Sequence, residues 1–242
     1  MNEGRIINDE EIKSKIVSER PYQEWLDENR LHLRDVPFTS EVCSIETIDL
    51  PTRERLFNYT LEDIQDVITP MAQSGKEALG SMGTDTPLAV LSDRPQLISN
   101  YFKQLFAQVT NPPLDGIREE IVTDISLALG QDRNIFDISS KQCRKLRIQN
   151  PVISNRDLEK IRNISIDHFK AETFEILYPK AKGLNGLEDA LDAIIVQITK
   201  AIERGTNIII LSDRGVNKEF APIPSLLACS YVNHQMNRLR KR

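Results

Sequence analysis

Two short apolar runs in this 242-residue chain each lead straight into the same polar triplet. Leu88-Ala-Val-Leu91 runs into Ser92-Asp93-Arg94, and Asn207-Ile-Ile-Ile-Leu211 runs into Ser212-Asp213-Arg214-Gly215. Apolar runs of this length between turn formers read as buried strands. Before the second run, Thr173-Phe-Glu-Ile-Leu-Tyr178 alternates as a strand. Leu187, Leu191, Ile194, Ile195, Ile198 and Ile202 then line one face of a helix. Glu188, Asp189 and Asp192 stand at its start, Lys200 and Arg204 at its end, and Gly205 follows, an order that suits the helix dipole. Residues 223–239 read as the next helix. Strand–helix–strand–helix implies right-handed parallel crossovers, hence an α/β framework. Both Ser-Asp-Arg triplets are then expected just past strand carboxyl ends, where α/β sheets place their ligands.

The remaining chain is less periodic. Residues 5–30 read as helical, capped by Asn8 or Asp9 and interrupted at Pro21. Residues 31–58 lack sustained periodicity, contain Pro37 and Pro51, and read as an extended connector. Thr60-Leu-Glu-Asp63 is a capping signal for a helix that Pro70 ends or bends. Leu97, Tyr101, Leu105 and Val109 stand at steps of four and predict a helix stopped by Asn111-Pro-Pro113. Asp115 caps another, carrying Ile117, Ile121, Ile125 and Leu129 and closed by Gly130. Weaker strand signals lie at Leu146–Ile148 and Val152–Ile153, and Asn155 caps a short helix through Ile161.

Composition narrows the function classes. A net charge of −5 argues against a general nucleic-acid binder, with Arg238-Leu-Arg-Lys-Arg242 as a basic exception that suits a helix terminus. No window approaches the roughly 18 apolar residues of a membrane span, and no basic-then-apolar leader opens the chain. Cys43, Cys143 and Cys229 form no CxxC pair and no metal-ligand spacing, as expected of reduced thiols in a cytoplasmic protein. His32, His168 and His234 are equally scattered.

Gly80-Ser-Met-Gly83 offers small residues and exposed backbone N–H groups, yet no Gly-Lys-Ser/Thr follows, so it is no P-loop. It precedes its strand, so it is no dinucleotide fingerprint either. A tight interdomain turn is the plainer reading. Asp93 and Asp213, each beside an arginine, suit either a substrate contact or a structural clamp on a loop. Glu119-Glu120 and Glu10-Glu11 read as helix-surface pairs.

The runs Gly80–Arg94 and Asn100–Pro113, the segment Ile117-Arg-Glu-Glu120, Ile209–Gly215 and Ala221-Pro-Ile-Pro-Ser-Leu-Leu-Ala228 resemble the central domain of the glutamate synthase large subunit. Glu3–Ile12, Pro21-Tyr22 and Trp25-Leu26 resemble the end of the preceding amidotransferase domain. The resemblance covers nearly the whole chain. It implies an amidotransferase tail and connector over 1–58 and a central domain over 59–242, with parallel strand–helix repeats in an irregular or incomplete (β/α) barrel. It implies a parent enzyme that hydrolyses glutamine and passes ammonia to 2-oxoglutarate, using FMN and an iron–sulfur cluster. Partners would be the adjacent amidotransferase and FMN-binding domains and an NADPH-linked subunit or ferredoxin, with no nucleic acid and no membrane. The family's N-terminal cysteine nucleophile has no counterpart, since the chain starts Met1-Asn2-Glu3 and Cys43 falls in the connector. No catalytic, cofactor or metal residue is therefore assigned here. The turn Gly80, Ser81, Met82, Gly83, Thr84 and Asp85 is the candidate lining of an ammonia path. Ser92, Asp93, Arg94, Ser212, Asp213 and Arg214 are the candidate strand-end loops. Two alternatives remain: a self-contained barrel-like enzyme holding a phosphorylated small molecule at those loops, or an interaction scaffold.

Overall fold

The computed structural model of the chain describes residues 4–38, 48–80, 86–109, 112–166 and 168–239. Asn8 caps helix α1 (Asp9–Ser18), its Oδ1 accepting from the Glu11 N–H at 2.8 Å. Asp9, Glu10 and Glu11 fill the first turn, where carboxylates meet the positive end of the dipole. Helix α2 (Tyr22–Asn29) follows Pro21 and packs on the short turn Ser140–Cys143.

The expected connector over 31–58 is more structured than its composition suggests. Strand β1 (Leu31–His32) leads into a 3-10 turn, Leu33–Asp35, and both Leu33 and Val36 are buried. Their partners lie far along the chain, in Leu146 and Ile148, so a local search for periodicity cannot register them. Asp49 caps helix α3 (Leu50–Leu56) through the Thr52 N–H. Thr60 and Asp63 cap each other: Thr60 N and Oγ1 donate to the Asp63 carboxylate, and Asp63 N donates to Thr60 Oγ1 at 3.1 Å. Pro70 does not end the helix that follows. A π-helical stretch, Asp63–Ile68, runs into α4 (Thr69–Ser74), which closes on Gly75 at φ 66°. The wider π turn accommodates the proline, which lacks an N–H and crowds the carbonyl four residues back.

Three further expectations are corrected between 86 and 130. Leu88–Leu91 is not a strand: Ala89–Leu91 make one 3-10 turn between Pro87 and Pro95, and no strand pairs with it among the described residues. The helix expected over Leu97–Val109 is reduced to a 3-10 stretch, Ile98–Phe102. Its apolar stripe has little to pack on, with Phe102 78% and Phe106 63% exposed, and short helices draw their stability from packing. Asp115 caps α5 (Gly116–Val122) as expected, but the helix stops before Ile125. An Asx turn intervenes, in which Ser126 N and Oγ donate to Asp124. Leu127–Leu129 then forms strand β2, antiparallel to β3 (Leu146–Ile148). Leu31 pairs with Leu146 on the other side of β3, in parallel. Val152–Ile153 follows Pro151 and is not a strand. Ser154, one residue before the expected cap, accepts from Asp157 N and opens α6 (Asn155–Arg162).

The carboxyl-terminal third follows the sequence closely. The single strand expected at 173–178 divides at Ile176 into β4 (Ala171–Glu175) and β5 (Leu177–Pro179). Helix α7 (Gly183–Glu203) crosses over to β6 (Ile208–Ser212), which pairs with β4 in parallel from Ala171↔Ile208 to Glu175↔Ser212. Strand β7 (Phe220–Pro222) pairs antiparallel with β5, and α8 (Ser225–Arg238) follows. The described strands thus form three small sheets, β1–β3–β2, β4–β6 and β5–β7, and none of them closes into a barrel. The fold is mixed α/β.

Two cores flank the β4–β6 pair. On one face Phe174, Ile209 and Leu211 meet Leu191, Ile194 and Ile198 of α7 and Ala228 and Met236 of α8. On the other, Ile208 and Ile210 meet Leu146, Ile148 and Ile161. Tyr231 ties the helices together, donating to Asp192 at 2.6 Å.

Glu172 fastens β4 to the start of β6. Buried Thr206 donates to its carboxylate, as does Arg204 at 2.8 Å, with Lys170 3.6 Å away. The Thr206 hydroxyl, and then the two cations, hold the Glu172 carboxyl below its ordinary value. A depressed carboxylate stabilises the fold above its ordinary value of 4.5. That contribution is lost as pH falls through the lowered value. Glu172→Gln is therefore expected to lower stability at neutral pH and to flatten the acid limb of a Tm-versus-pH profile. A variant with an unchanged acid limb would show that Glu172 carries none of it.

Candidate functional site

The two Ser-Asp-Arg triplets share a local geometry but not a setting. In the first, Ser92 Oγ accepts from Arg94 N at 3.2 Å and from Gln96 Nε2 at 3.1 Å. Gln96 Oε1 accepts in turn from Asn100. In the second, Ser212 Oγ accepts from Arg214 N at 3.4 Å. Each serine closes a small hydroxyl turn on the residue two places on. The clamp is thus built by serine and the arginine backbone. Neither Asp93 nor Asp213 has an ion-pair partner among the described residues.

Only the second triplet stands at the carboxyl end of a parallel strand. Arg214 Nη2 reaches Asn155 Oδ1 at 2.6 Å, docking the loop on the first turn of α6. Gly215 lies so close to β4 and β5 that a Cβ there would stand 2.9 Å from Leu177 Cδ1 and 3.1 Å from Glu175 Oε1. Val216 N donates to Asp213 O, and the Val216 side chain is buried. The loop is held by these contacts and is partly buried, with only Val216 fully so.

Ser92 and Arg94 of the first triplet border a recess of about 300 Å³ together with Pro87, Leu88, Asn100 and Lys103. This triplet follows a 3-10 turn and stands at no strand end. No hydrogen bond or ion pair joins the two triplets among the described residues. A single ligand site built from both, as the self-contained enzyme requires, is not supported.

Gly80 is exposed, and a Cβ there would meet nothing within 4 Å. Ser81, Met82, Gly83, Thr84 and Asp85 lie outside the described residues, as do Cys43 and the basic residues 240–242. Cys143 is partly buried and Cys229 exposed. Among the described residues no three His, Cys, Asp or Glu side chains are grouped to hold a metal ion, and no helix is long and apolar enough to cross a membrane.

What the sequence did not signal is the amount of apolar surface left open between 86 and 138. Ile117, Ile135 and Phe136 are each more than 80% exposed, alongside Val90, Leu91 and Phe102. Single exposed apolar side chains are ordinary, whereas a segment that leaves this many large ones open is a candidate for cover by another surface.

Residues 52–242 match the family model described as glutamate synthase central domain. The chain is 42% identical over 238 residues to the glutamate synthase [NADPH] large chain of Bacillus subtilis, covering 98% of this chain and 15% of that one. It is 38% identical over 253 residues to glutamate synthase [NADH] of Schizosaccharomyces pombe, covering 99% and 12%. It is 34% identical over 242 residues to ferredoxin-dependent glutamate synthase 2 of Synechocystis, covering 98% and 15%. The chain therefore spans less than a sixth of the length of these relatives. It belongs to the glutamate synthase family, in which it corresponds to the central domain.

Proposed function

We propose that this chain is the connecting part of a cytoplasmic glutamate synthase, with an amidotransferase tail over 1–58 and the central domain over 59–242. In the parent, glutamine is hydrolysed at one site and its ammonia is added to 2-oxoglutarate at another, with a reduced flavin completing the second glutamate. The observation that carries this reading is the open apolar surface over 86–138 in a chain whose relatives are many times longer. Neighbouring domains of the same polypeptide, the amidotransferase and FMN-binding ones, would cover it. The relatives' names include NADPH, NADH and ferredoxin, so the proposed electron donor is one of these classes. The strand–helix winding from β4 to α8 is the part of the fold most like a (β/α) barrel.

Among the described residues no cysteine cluster suited to an iron–sulfur group is formed. The two described cysteines stand in separate elements, Cys143 ahead of β3 and Cys229 in α8, and no metal-holding cluster forms around either. On the family resemblance, FMN and an iron–sulfur cluster are assigned to other parts of the parent, and the chain's own role is to space the two sites and form part of the ammonia path.

The turn Gly80–Asp85 is the proposed lining of that path, because small residues leave room where bulky ones would close it. In the intact enzyme, Ser81→Trp or Thr84→Trp is expected to leave folding and glutamine hydrolysis largely unchanged. Glutamine-dependent glutamate formation should fall relative to hydrolysis, with free ammonia appearing in solution. Assaying both products in one reaction measures the ratio. Tight coupling in both variants would remove the turn from the path.

A further inference from the structure

A recess of about 480 Å³ opens at the amino ends of β4 and β6, away from the Ser212–Arg214 loop at their carboxyl ends. Its lining includes Arg133, Ile164, His168, Phe169, Lys170 and Asn207.

The turn on its rim is held in an unusual shape. Phe169 N donates to Ile166 O at 3.0 Å, and His168 sits at φ 78°. A positive φ is uncommon for residues other than glycine, so a histidine kept there points to a use for its side chain. Asn207 clamps the turn with both ends of its amide. Its Nδ2 donates to His168 O, and its Oδ1 accepts from Lys170 N at 3.0 Å. Arg144 Nη1 lies 3.1 Å from His168 Nδ1. A guanidinium can only donate, so Nδ1 accepts and the ring proton stands on Nε2. Asp167, between these residues, lies outside the described ones.

Among the described residues the lining offers donors and no carboxylate. Arg133 is exposed and makes no hydrogen bond or ion pair among them. Lys170 Nζ is 3.3 Å from Arg204 O and 3.6 Å from Glu172, whose carboxylate already accepts from Thr206 and Arg204. The Lys170 side chain stays half exposed. Two cations and a ring N–H therefore meet at one recess, in a chain whose net charge is −5.

We infer that this recess binds the phosphate group of a small phosphorylated molecule. A phosphate monoester carries a charge of about −1.5 to −2 at pH 7 and three strong acceptor oxygens. That matches two cations and an N–H donor, whereas a carboxylate, with one charge, leaves a cation unmatched. The planar fork of Arg133 suits two of the oxygens, and Lys170 adds a point charge. The volume falls within the roughly 300–1,000 Å³ of small-ligand sites. Ile164 and Phe169 are buried and give the rest of the molecule an apolar floor. The site is separate from the proposed ammonia path and does not depend on it.

Competitive chemical labelling of the full-length protein tests this, with inorganic phosphate as the probe. Sodium chloride at equal ionic strength controls for screening. Lysine acylation is read by mass spectrometry at Lys170 and histidine carbethoxylation at His168, with Lys182 and His234 as internal references. Occupancy slows labelling by a factor of 1 + [L]/Kd, so phosphate at about ten times its Kd should slow both target residues about tenfold. The references should be unchanged. Arg133→Ala should remove most of the protection, and the exposed, unpartnered side chain makes a folding defect no part of that result. Equal rates in phosphate and chloride overturn the inference. So does slowing shared by the references, and so does protection undiminished in Arg133→Ala. Absence of labelling at both residues in chloride also overturns it, since the recess would then be covered in the parent.

Discussion

Ile198→Ala is expected to lower the unfolding free energy by about 2–5 kcal/mol, the usual range for truncating a fully buried aliphatic side chain. Ile198 has no exposed surface and lies in the carboxyl-terminal half of α7, in the core shared with the sheet residues Phe174, Ile209 and Leu211 and with Ala228 and Met236 of α8. Three elements converge on it, so the vacated space cannot close by moving one of them alone. The neighbouring position Val196, 54% exposed on the opposite side of the same helix, supplies the control. Val196→Ala should change stability by less than about 1 kcal/mol, since surface substitutions away from packed features usually stay within a few tenths. Chemical denaturation of both variants in the same background gives the comparison. Equal losses would mean that α7 is held by its termini and not by its buried stripe.

The carboxyl-terminal third was legible because its structure is local. Leu187 to Ile202 repeat at helical spacing, acids and bases are sorted to the matching ends, and the crossover rule joins the flanking strands. The region from 86 to 130 was misread for the opposite reason. Leu88–Leu91 and the stripe Leu97–Val109 carry the apolar content of a strand and a helix, yet most of their large side chains stay exposed among the described residues. Periodicity records which side chains seek cover and says nothing about where the cover comes from. Under the proposed function, that cover comes from neighbouring domains of the parent polypeptide. Leu33 and Val36 show the converse: with too little local pattern to notice, they are buried by a parallel pairing to β3. As for the candidate loops, the repeated Ser-Asp-Arg reads as an Asp-Arg clamp or substrate contact at two strand ends, and the repeated element is instead a serine hydroxyl turn. The triplet did not predict that only the second would sit at a strand end, because that depends on whether the preceding apolar run finds a partner strand.

Arg162→Leu is expected to destabilise the fold by about 3–5 kcal/mol, because it leaves a buried carboxylate without its cation. Glu159 is 5% exposed, the one buried acidic residue among those described. It accepts from Arg162 Nη1 within α6, while Asn163 approaches its other oxygen only at 3.4 Å. Arg162 also donates from Nε to Thr173 Oγ1 at 3.2 Å, so the same guanidinium ties α6 to β4. Removing it abandons Glu159 in a low-dielectric setting and loosens the helix from the strand. The double variant Glu159→Leu with Arg162→Leu should recover much of the loss, since a buried ion pair exchanged whole for apolar groups is often near neutral. The cycle separates two readings of the pair. Recovery in the double variant means that the cost lies in the orphaned charge. A loss as large as in Arg162→Leu alone would assign it to the missing link with Thr173, which neither leucine restores.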